Sequence, residues 1–281
     1  MAQSHLPNVL ITGATGRVGT LLRKAWAVSP PVEFRPVWSS RSVESRPDWI
    51  VWDMGSDTLP VLDPPPRAIL HLARGTGRDC RQVSDIHMDG QALRLAQLHV
   101  APLLIASSVA VYGSSSEMMS ERAALSPQTR NGWSKLRQER ELSGADKVCF
   151  LRLGNVVGAD GLIGASSGNL VLDRGDGSDG GPVRSWIGPR TLATVLAHLL
   201  ALCVSGRSLP QRLNVAQAPA LGMAELADAD QRRWRFSDRM ADVGCVRVDC
   251  SLLRSTIGKA IAPAEAAVMV AEWRTLAAVC V

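Results

Sequence analysis

The chain of 281 residues is 46% hydrophobic and 20% charged, with a formal net charge of +5. This composition excludes a disordered or collagen-like chain, and at roughly 150 residues per domain the length fits one large domain or two small ones. A chain this long buries about three quarters of the surface its unfolded form exposes, so it needs neither disulfides nor a metal to fold.

In chain order, Asn8–Thr12 reads as a buried strand. Gly19–Val28 reads as a helix with Leu21, Leu22 and Trp26 inward. Glu33–Trp38 is a second strand, weakened by Pro36, which has no N–H for a ladder. Trp49–Trp52 and Ala68–Ala73 are further strands. Ile86–Leu98 is a helix with Met88, Leu93, Leu95 and Leu98 as its apolar set. Leu103–Ser107 is a strand, Gly132–Leu142 a helix and Val148–Leu153 a strand. Beyond Asn155 the pattern loosens, and Gly and Asp crowd Gly158–Gly181. Arg190–Cys203, Gly222–Ala229 and Ala262–Ala278 are helical. The apolar stripes of the last two (Leu226; Val268, Val270, Trp273, Leu276) face a core or a dimer partner. Strand–helix alternation of this kind implies a parallel sheet covered on both faces, with its ligand beyond the carboxyl ends of the strands.

No apolar stretch approaches the roughly 18–20 residues of a membrane span. Leu192–Val204 is too short and contains His198. The N-terminus has no basic stretch ahead of an apolar core, so a cytoplasmic protein is expected. The six cysteines (Cys80, Cys149, Cys203, Cys245, Cys250, Cys280) form no CxxC pair and no zinc set, and read as reduced, mostly buried thiols. Arg and Lys are scattered apart from the short cluster Arg232–Arg235, so a nucleic-acid partner is not indicated. A phosphorylated small molecule fits the charge as well.

The first strand runs into Gly13-Ala14-Thr15-Gly16-Arg17-Val18-Gly19 and then a helix. Glycines let backbone N–H groups approach a phosphate, and a helix N-terminus favours its charge. The spacing is GxxGxxG rather than GxGxxG; its position between the first strand and first helix gives it weight.

Thr12–Gly19 resembles the opening of the extended short-chain dehydrogenase/reductase family, the NAD(P)-dependent epimerase/dehydratase group. Further matches follow in that family's order, over roughly residues 8–260. Asp53-Met54 resembles the pair beside the adenine. His71-Leu72-Ala73 resembles the fourth-strand end near the nicotinamide ribose. Ser107–Gly113 is similar to the SSxxVYG signature, Ser134-Lys135-Leu136 with Glu139 to the SKxxxE helix, and Leu151–Val156 to the LRxxNV strand. Gly181–Ile187 resembles a segment carrying a substrate-phosphate arginine in nucleotide-sugar epimerases. The resemblance implies an α/β fold, a Rossmann-like doubly wound parallel sheet over residues 1–160. A small C-terminal substrate cap over 161–281 would be partly interleaved with that sheet.

It also implies a dinucleotide on Gly13, Thr15, Gly16, Arg17, Val18 and Gly19, with Leu72, Ala73 and Lys135 toward the ribose. The end of the second strand reads Val37-Trp38-Ser39-Ser40-Arg41-Ser42, without the carboxylate that holds an NAD ribose. Ser39, Ser40 and Arg41 suit a 2′-phosphate, with Arg17 as a second charge, so NADP is expected and NAD is the alternative.

The family pairs a tyrosine with a lysine four residues later. Here Lys135 and the strand-five Ser108 match, but the tyrosine position is Asn131. An amide does not titrate in the useful range and is no general acid or base. Tyr112, the chain's single tyrosine, matches the VYG signature instead and is the candidate substitute proton donor. His87 and Cys80 are weaker titratable candidates. Asn131 fits three situations: polarisation of a carbonyl while another group supplies the proton, loss of chemistry with retained binding, or a different acid on the cap.

On the substrate side, Asn155 resembles the substrate-contacting asparagine and Arg184 the diphosphate-contacting arginine, a role that suits a guanidinium. Thr191 replaces an Asp and is expected to cap the following helix. The short cap points to a small substrate, or to a reductase. The resemblance also suggests a homodimer through the helix face with Trp133, Arg137 and Arg140. The leading reading is an NAD(P)-dependent oxidoreductase or epimerase/dehydratase-like enzyme acting on a nucleotide sugar or another carbonyl or hydroxyl compound. The alternatives are a catalytically weakened dinucleotide-binding regulator and a scaffold with an empty loop.

Overall fold

The computed structural model describes residues 6–42, 46–74, 85–163, 169–175 and 180–281. The strands in chain order are β1 (Asn8–Thr12), β2 (Arg35–Ser40), β3 (Trp49–Val51), β4 (Ala68–His71), β5 (Leu103–Ser108), β6 (Met118–Met119), β7 (Val148–Leu153), β8 (Asn155–Val156), β9 (Leu170–Arg174), β10 (Val183–Arg184), β11 (Trp186–Ile187), β12 (Arg212–Val215), β13 (Leu221–Gly222), β14 (Trp234–Met240) and β15 (Cys245–Val248). The helices are α1 (Arg17–Val28), α2 (Asp85–Leu98), α3 (Arg130–Glu141), α4 (Pro189–Val204), α5 (Met223–Ala229), α6 (Ser251–Ile257) and α7 (Ala266–Ala277).

Seven strands form one parallel sheet in the order β12-β7-β5-β4-β1-β2-β3. The order reverses between β1 and β4, whose last residues pair as Thr12 and His71. In an open parallel sheet that reversal leaves a crevice at the carboxyl ends. The strands are apolar on both faces because helices cover both. Val9 and Ile11 join Leu70, Leu104 and Leu151 on the side of α1 and α4. Leu10 joins Ile69, Leu103 and Phe150 on the side of α2. The chain beyond residue 160 returns to this sheet through α4 and β12. Its short strands, with α5 and α7, surround a third cluster around Leu172, Trp186, Leu226 and Val270.

Sequence pattern located the main elements within a few residues, with informative exceptions. Pro36 is tolerated inside β2 because β2–β3 pairing begins only at Trp38, so one side of the strand has no neighbour at Pro36. In α2 the buried stripe is Met88, Ala92, Leu95 and Ala96 together with Asp89 and Gln91, while Leu98 is exposed. Asp89 is buried against His71 of β4 and Gln138 of α3, and Gln91 donates to Asp57 in the loop after β3. Val268 is likewise exposed, and α7 buries Met269, Val270 and Leu276 instead. Thr191 is not the cap of α4: Gly188 holds that place. The carboxylate of Glu272 on α7 accepts the N–H groups of Arg190 (3.0 Å) and Thr191 (3.3 Å). A carboxylate at a helix N-terminus complements its dipole.

A buried ion pair joins α3 to the sheet. Arg152 on β7 donates to both carboxylate oxygens of Glu139, from Nε at 3.0 Å and Nη2 at 2.7 Å, with both residues almost fully buried. Ser107 Oγ on β5 donates to the same carboxylate at 2.6 Å, and Arg212 on β12 approaches it at 3.5 Å. Three adjacent strands thus meet one helical glutamate. Arg152→Ala leaves that carboxylate without its main partner in a dry interior. A loss of about 3–5 kcal/mol in urea unfolding is expected, larger than for truncation of an exposed arginine.

Candidate functional site

The glycine loop sits at the crevice, and its glycines do different things. Gly13 has φ +71°, and a Cβ there would lie 2.5 Å from the Ala73 backbone nitrogen, so the loop presses against the end of β4. A Cβ on Gly19 would overlap the Gly13 carbonyl oxygen. These two glycines shape the loop. Gly16 is different: at ordinary φ, its missing side chain would meet only the Gly13 oxygen, at 3.2 Å. It is the N-cap of α1, with no side-chain cap bond and no acid in the first turn. The uncapped helical N–H groups suit an anion. Arg17 reaches across the loop to the Asp160 carbonyl at 3.3 Å. Thr15 is exposed, and Val18 packs against the core.

At the end of β2, Ser39 and Ser40 are buried and the Ser40 hydroxyl donates to the Ser42 carbonyl at 2.7 Å. Of that trio Arg41 is the exposed member. After β3, exposed Asp53 accepts the Gly55 N–H, and Met54 is buried in the α2-side core. Leu72 and Ala73, half-buried after β4, pack against the two sides of the core.

The positions expected from the resemblance to be catalytic gather around α3. Its start lies against the turn after β5: a Cβ on Gly132 would overlap the Ala110 carbonyl oxygen. Ser108 Oγ accepts the Ala110 N–H at 3.1 Å, which leaves its hydroxyl as a donor. Lys135 is buried and donates to the Ala106 carbonyl at 2.6 Å and to Gln138 Oε1 at 3.1 Å. Burial holds its ammonium below the ordinary lysine range and Arg74 adds charge repulsion; Asp89, Asp85 and Glu139 pull the other way.

Asn131 Oδ1 accepts from Arg74 Nη1 at 2.6 Å. Guanidinium groups only donate, so this contact fixes the amide with its NH2 turned away from Arg74.

Sequence reading missed the network behind Lys135. Gln138 Nε2 donates to Asp89 Oδ1 at 2.7 Å, Asp89 Oδ1 meets His71 Nε2 at 3.0 Å, and His71 Nδ1 meets Thr12 Oγ1 at 2.7 Å. The carboxylate accepts, so Nε2 carries the ring proton. Asp89 Oδ2 is buried without a hydrogen-bond partner among the described residues. The available signal was polar residues on helix faces otherwise filled by apolar ones.

Tyr112 is a correction. Its hydroxyl donates to Asn214 Oδ1 at 2.7 Å and accepts from Arg152 Nη1 at 2.8 Å, and the residue is 3% exposed. Burial pushes its phenol above the ordinary tyrosine range, against the pull of Arg152. It belongs to the Glu139–Arg152 cluster rather than the cleft. Arg184 donates to the carbonyls of Val183, Val243 and Gly244 and so ties β10 to the segment before β15. Asn155 is half-buried just past β7, its backbone N–H on the Ser185 carbonyl. His87 is partly buried in α2, near Gln91, and Cys80 lies outside the described residues.

Five described cysteines are free and four are buried. Burial pushes the Cys203 thiol up to about 12 and Cys250 to about 11, far from a reactive thiolate. Among the described residues no group of three His, Cys, Asp or Glu side chains can hold a metal, and no helix is long and apolar enough to cross a membrane. A cavity of about 540 Å3 lies at the opposite, amino end of the sheet, lined by Arg67, His99, Lys147 and Arg207, away from the glycine loop.

A sequence model of the NAD dependent epimerase/dehydratase family matches residues 9–216. No curated protein matches the sequence. Among solved structures, the UDP-glucuronic acid 4-epimerase of Bacillus cereus, with UDP-glucuronic acid and NAD, superposes with a TM-score of 0.73 at 16% identity. That match covers 96% of this chain and 99% of the other. MoeE5 in complex with UDP-glucuronic acid and NAD gives 0.71 at 18% identity, over 95% and 99%. The NDP-hexosamine 5,6-dehydratase TunA gives 0.70 at 18% identity, over 96% and 98%.

Tyr112→Phe removes a hydroxyl that satisfies Arg152 and Asn214. The expected result is a loss of about 1–3 kcal/mol in unfolding free energy with unchanged dinucleotide affinity. Calorimetry beside urea melts checks both; weakened dinucleotide binding at unchanged stability would return Tyr112 to the cleft.

Proposed function

The chain belongs to the NAD dependent epimerase/dehydratase family, and from that premise we propose that it binds a nicotinamide dinucleotide and acts on a nucleotide sugar or a related carbonyl or hydroxyl compound. The observation that carries the reading is the glycine loop leading into the uncapped start of α1, placed where the strand order reverses. The residues fit the cofactor. The loop amides and Gly16 would take the diphosphate, and Lys135 the nicotinamide ribose. Arg41 would take a 2′-phosphate, which favours NADP over NAD, since no carboxylate ends β2. The bound cofactor supplies hydride transfer.

The chain's own residues then bind and orient. Ser108 offers a hydroxyl and Asn131 an amide N–H to a substrate oxygen, and Lys135 supplies positive charge from a buried position. Neither the Ser108 hydroxyl nor the Asn131 amide is a general acid, and Tyr112 is sequestered. Carbonyl polarisation with solvent as the proton source is the chemistry this set supports. The same observation favours a second reading, a dinucleotide-binding regulator with weakened catalysis. The cap over residues 161–281 would shape the substrate side. The exposed Trp133 on α3 supports a homodimer through that helix.

Calorimetric titration with NADPH, NADP, NADH and NAD tests the proposal. Wild type should bind the phosphorylated pair at least tenfold tighter, about 1.4 kcal/mol, and Arg41→Ala should remove that gap. Gly16→Val places a branched side chain beside these N–H groups and the Gly13 carbonyl, and should weaken all four at least tenfold. Gly13→Ala should instead lower stability, because φ +71° and the Ala73 backbone exclude its Cβ. No binding of any dinucleotide to wild type would sink the proposal.

A further inference from the structure

The position where relatives carry their tyrosine is occupied here by a joined pair, Asn131 and Arg74. Arg74 follows β4 at the crevice, and one of its five N–H groups is given to Asn131 Oδ1 at 2.6 Å. Its Nε stands 3.6 Å from Asp85 Oδ2, beyond hydrogen-bond length, and that oxygen accepts from Ser134 Oγ at 3.2 Å. The Arg74 side chain is 46% exposed. It is also close enough to Lys135 to repel it. Every chemical group collected there from Ser108, Asn131, Arg74 and Lys135 is a donor in its available state, and two of them are cations. Asp85 opposes the charge of Arg74 and orients it, and Asp89 is the strongest opposing charge on Lys135, so Arg74 is the cation of this group that lies at the surface.

We infer that Arg74, held by Asn131, is a carboxylate-binding subsite at the reacting end of the cleft, so that the substrate is a sugar acid or a comparable hydroxy or keto acid. A carboxylate is acceptor-only and matches the planar fork of a guanidinium with two parallel bonds. Asn131 is the positioning residue: its oxygen faces Arg74, and its amide N–H remains for the substrate. The inference rests on the proposed function and names the substrate class of the same site.

The test is binding, which needs no turnover. Two matched pairs, UDP-glucose with UDP-glucuronate and glucose with glucuronate, are titrated calorimetrically into wild type, Arg74→Gln and Arg74→Lys. In wild type the acid of each pair should bind at least tenfold tighter than its neutral partner. Arg74→Gln should bring the two within twofold, and Arg74→Lys should keep part of the preference. Unchanged urea midpoints show that the variants fold. If the acid and neutral members bind wild type equally, the subsite is overturned and the nucleotide-sugar reading stands. If only the free acids discriminate, through Arg74, the subsite stands and the nucleotide-sugar reading falls. If none of the four binds, both fall.

Discussion

The structure is organised around a buried carboxylate. Glu139 leaves α3 into the sheet and is met there by Ser107, Arg152 and Arg212, one from each of three neighbouring strands. Ionic groups this deep cost several kcal/mol to desolvate, and the cost is offset only by full, well-aligned pairing. Register is therefore tightly constrained: a one-residue slip of β7 would turn Arg152 to the other face and strand the charge. The same cluster takes up Tyr112, whose ring lies under the Arg152 guanidinium, and Asn214 on β12. Family signatures lying far apart in sequence are thus one polar knot whose first task is to lock α3 onto the carboxyl half of the sheet.

That locking has a consequence for the cleft. With α3 fixed, Lys135 and Gln138 on its neighbouring turns face inward, and the line Lys135–Gln138–Asp89–His71–Thr12 runs to the strand that feeds the glycine loop. One side of the crevice is shaped by backbone crowding at Gly13 and Gly19, the other by this chain of side chains. Both converge where the sheet order reverses, so the place is set by topology and its chemistry by side chains.

The chemistry proposed here starts from Asn131 standing where the resemblance expects a tyrosine, joined to Arg74. An amide at 131 binds by hydrogen bonds and cannot move a proton in the useful range. Arg74 adds charge at the same spot. In the proposed reading, these donors serve recognition of acidic groups and polarisation of carbonyls more than acid–base exchange.

The strands and long helices were legible because apolar period and the glycine loop are local signals. Val148–Leu153 agreed at both ends, and α1 buries Leu21, Leu22 and Trp26 as the pattern said. Short strands beyond residue 155 were not legible, since two-residue pairings such as β8 with β11 exist only through their neighbours. The roles of Tyr112, Asp89 and Arg74 were hidden for a related reason. Each acquires its partner across dozens of residues: Tyr112 with Asn214, Asp89 with Gln138, Arg74 with Asn131. By itself the sequence determined the parallel sheet, the anion-suited loop and the absence of a tyrosine four residues before Lys135. Only the tertiary structure decided which polar groups are spent inside the fold and which face the cleft. A side chain's burial and partners follow from long-range packing, which no local pattern encodes.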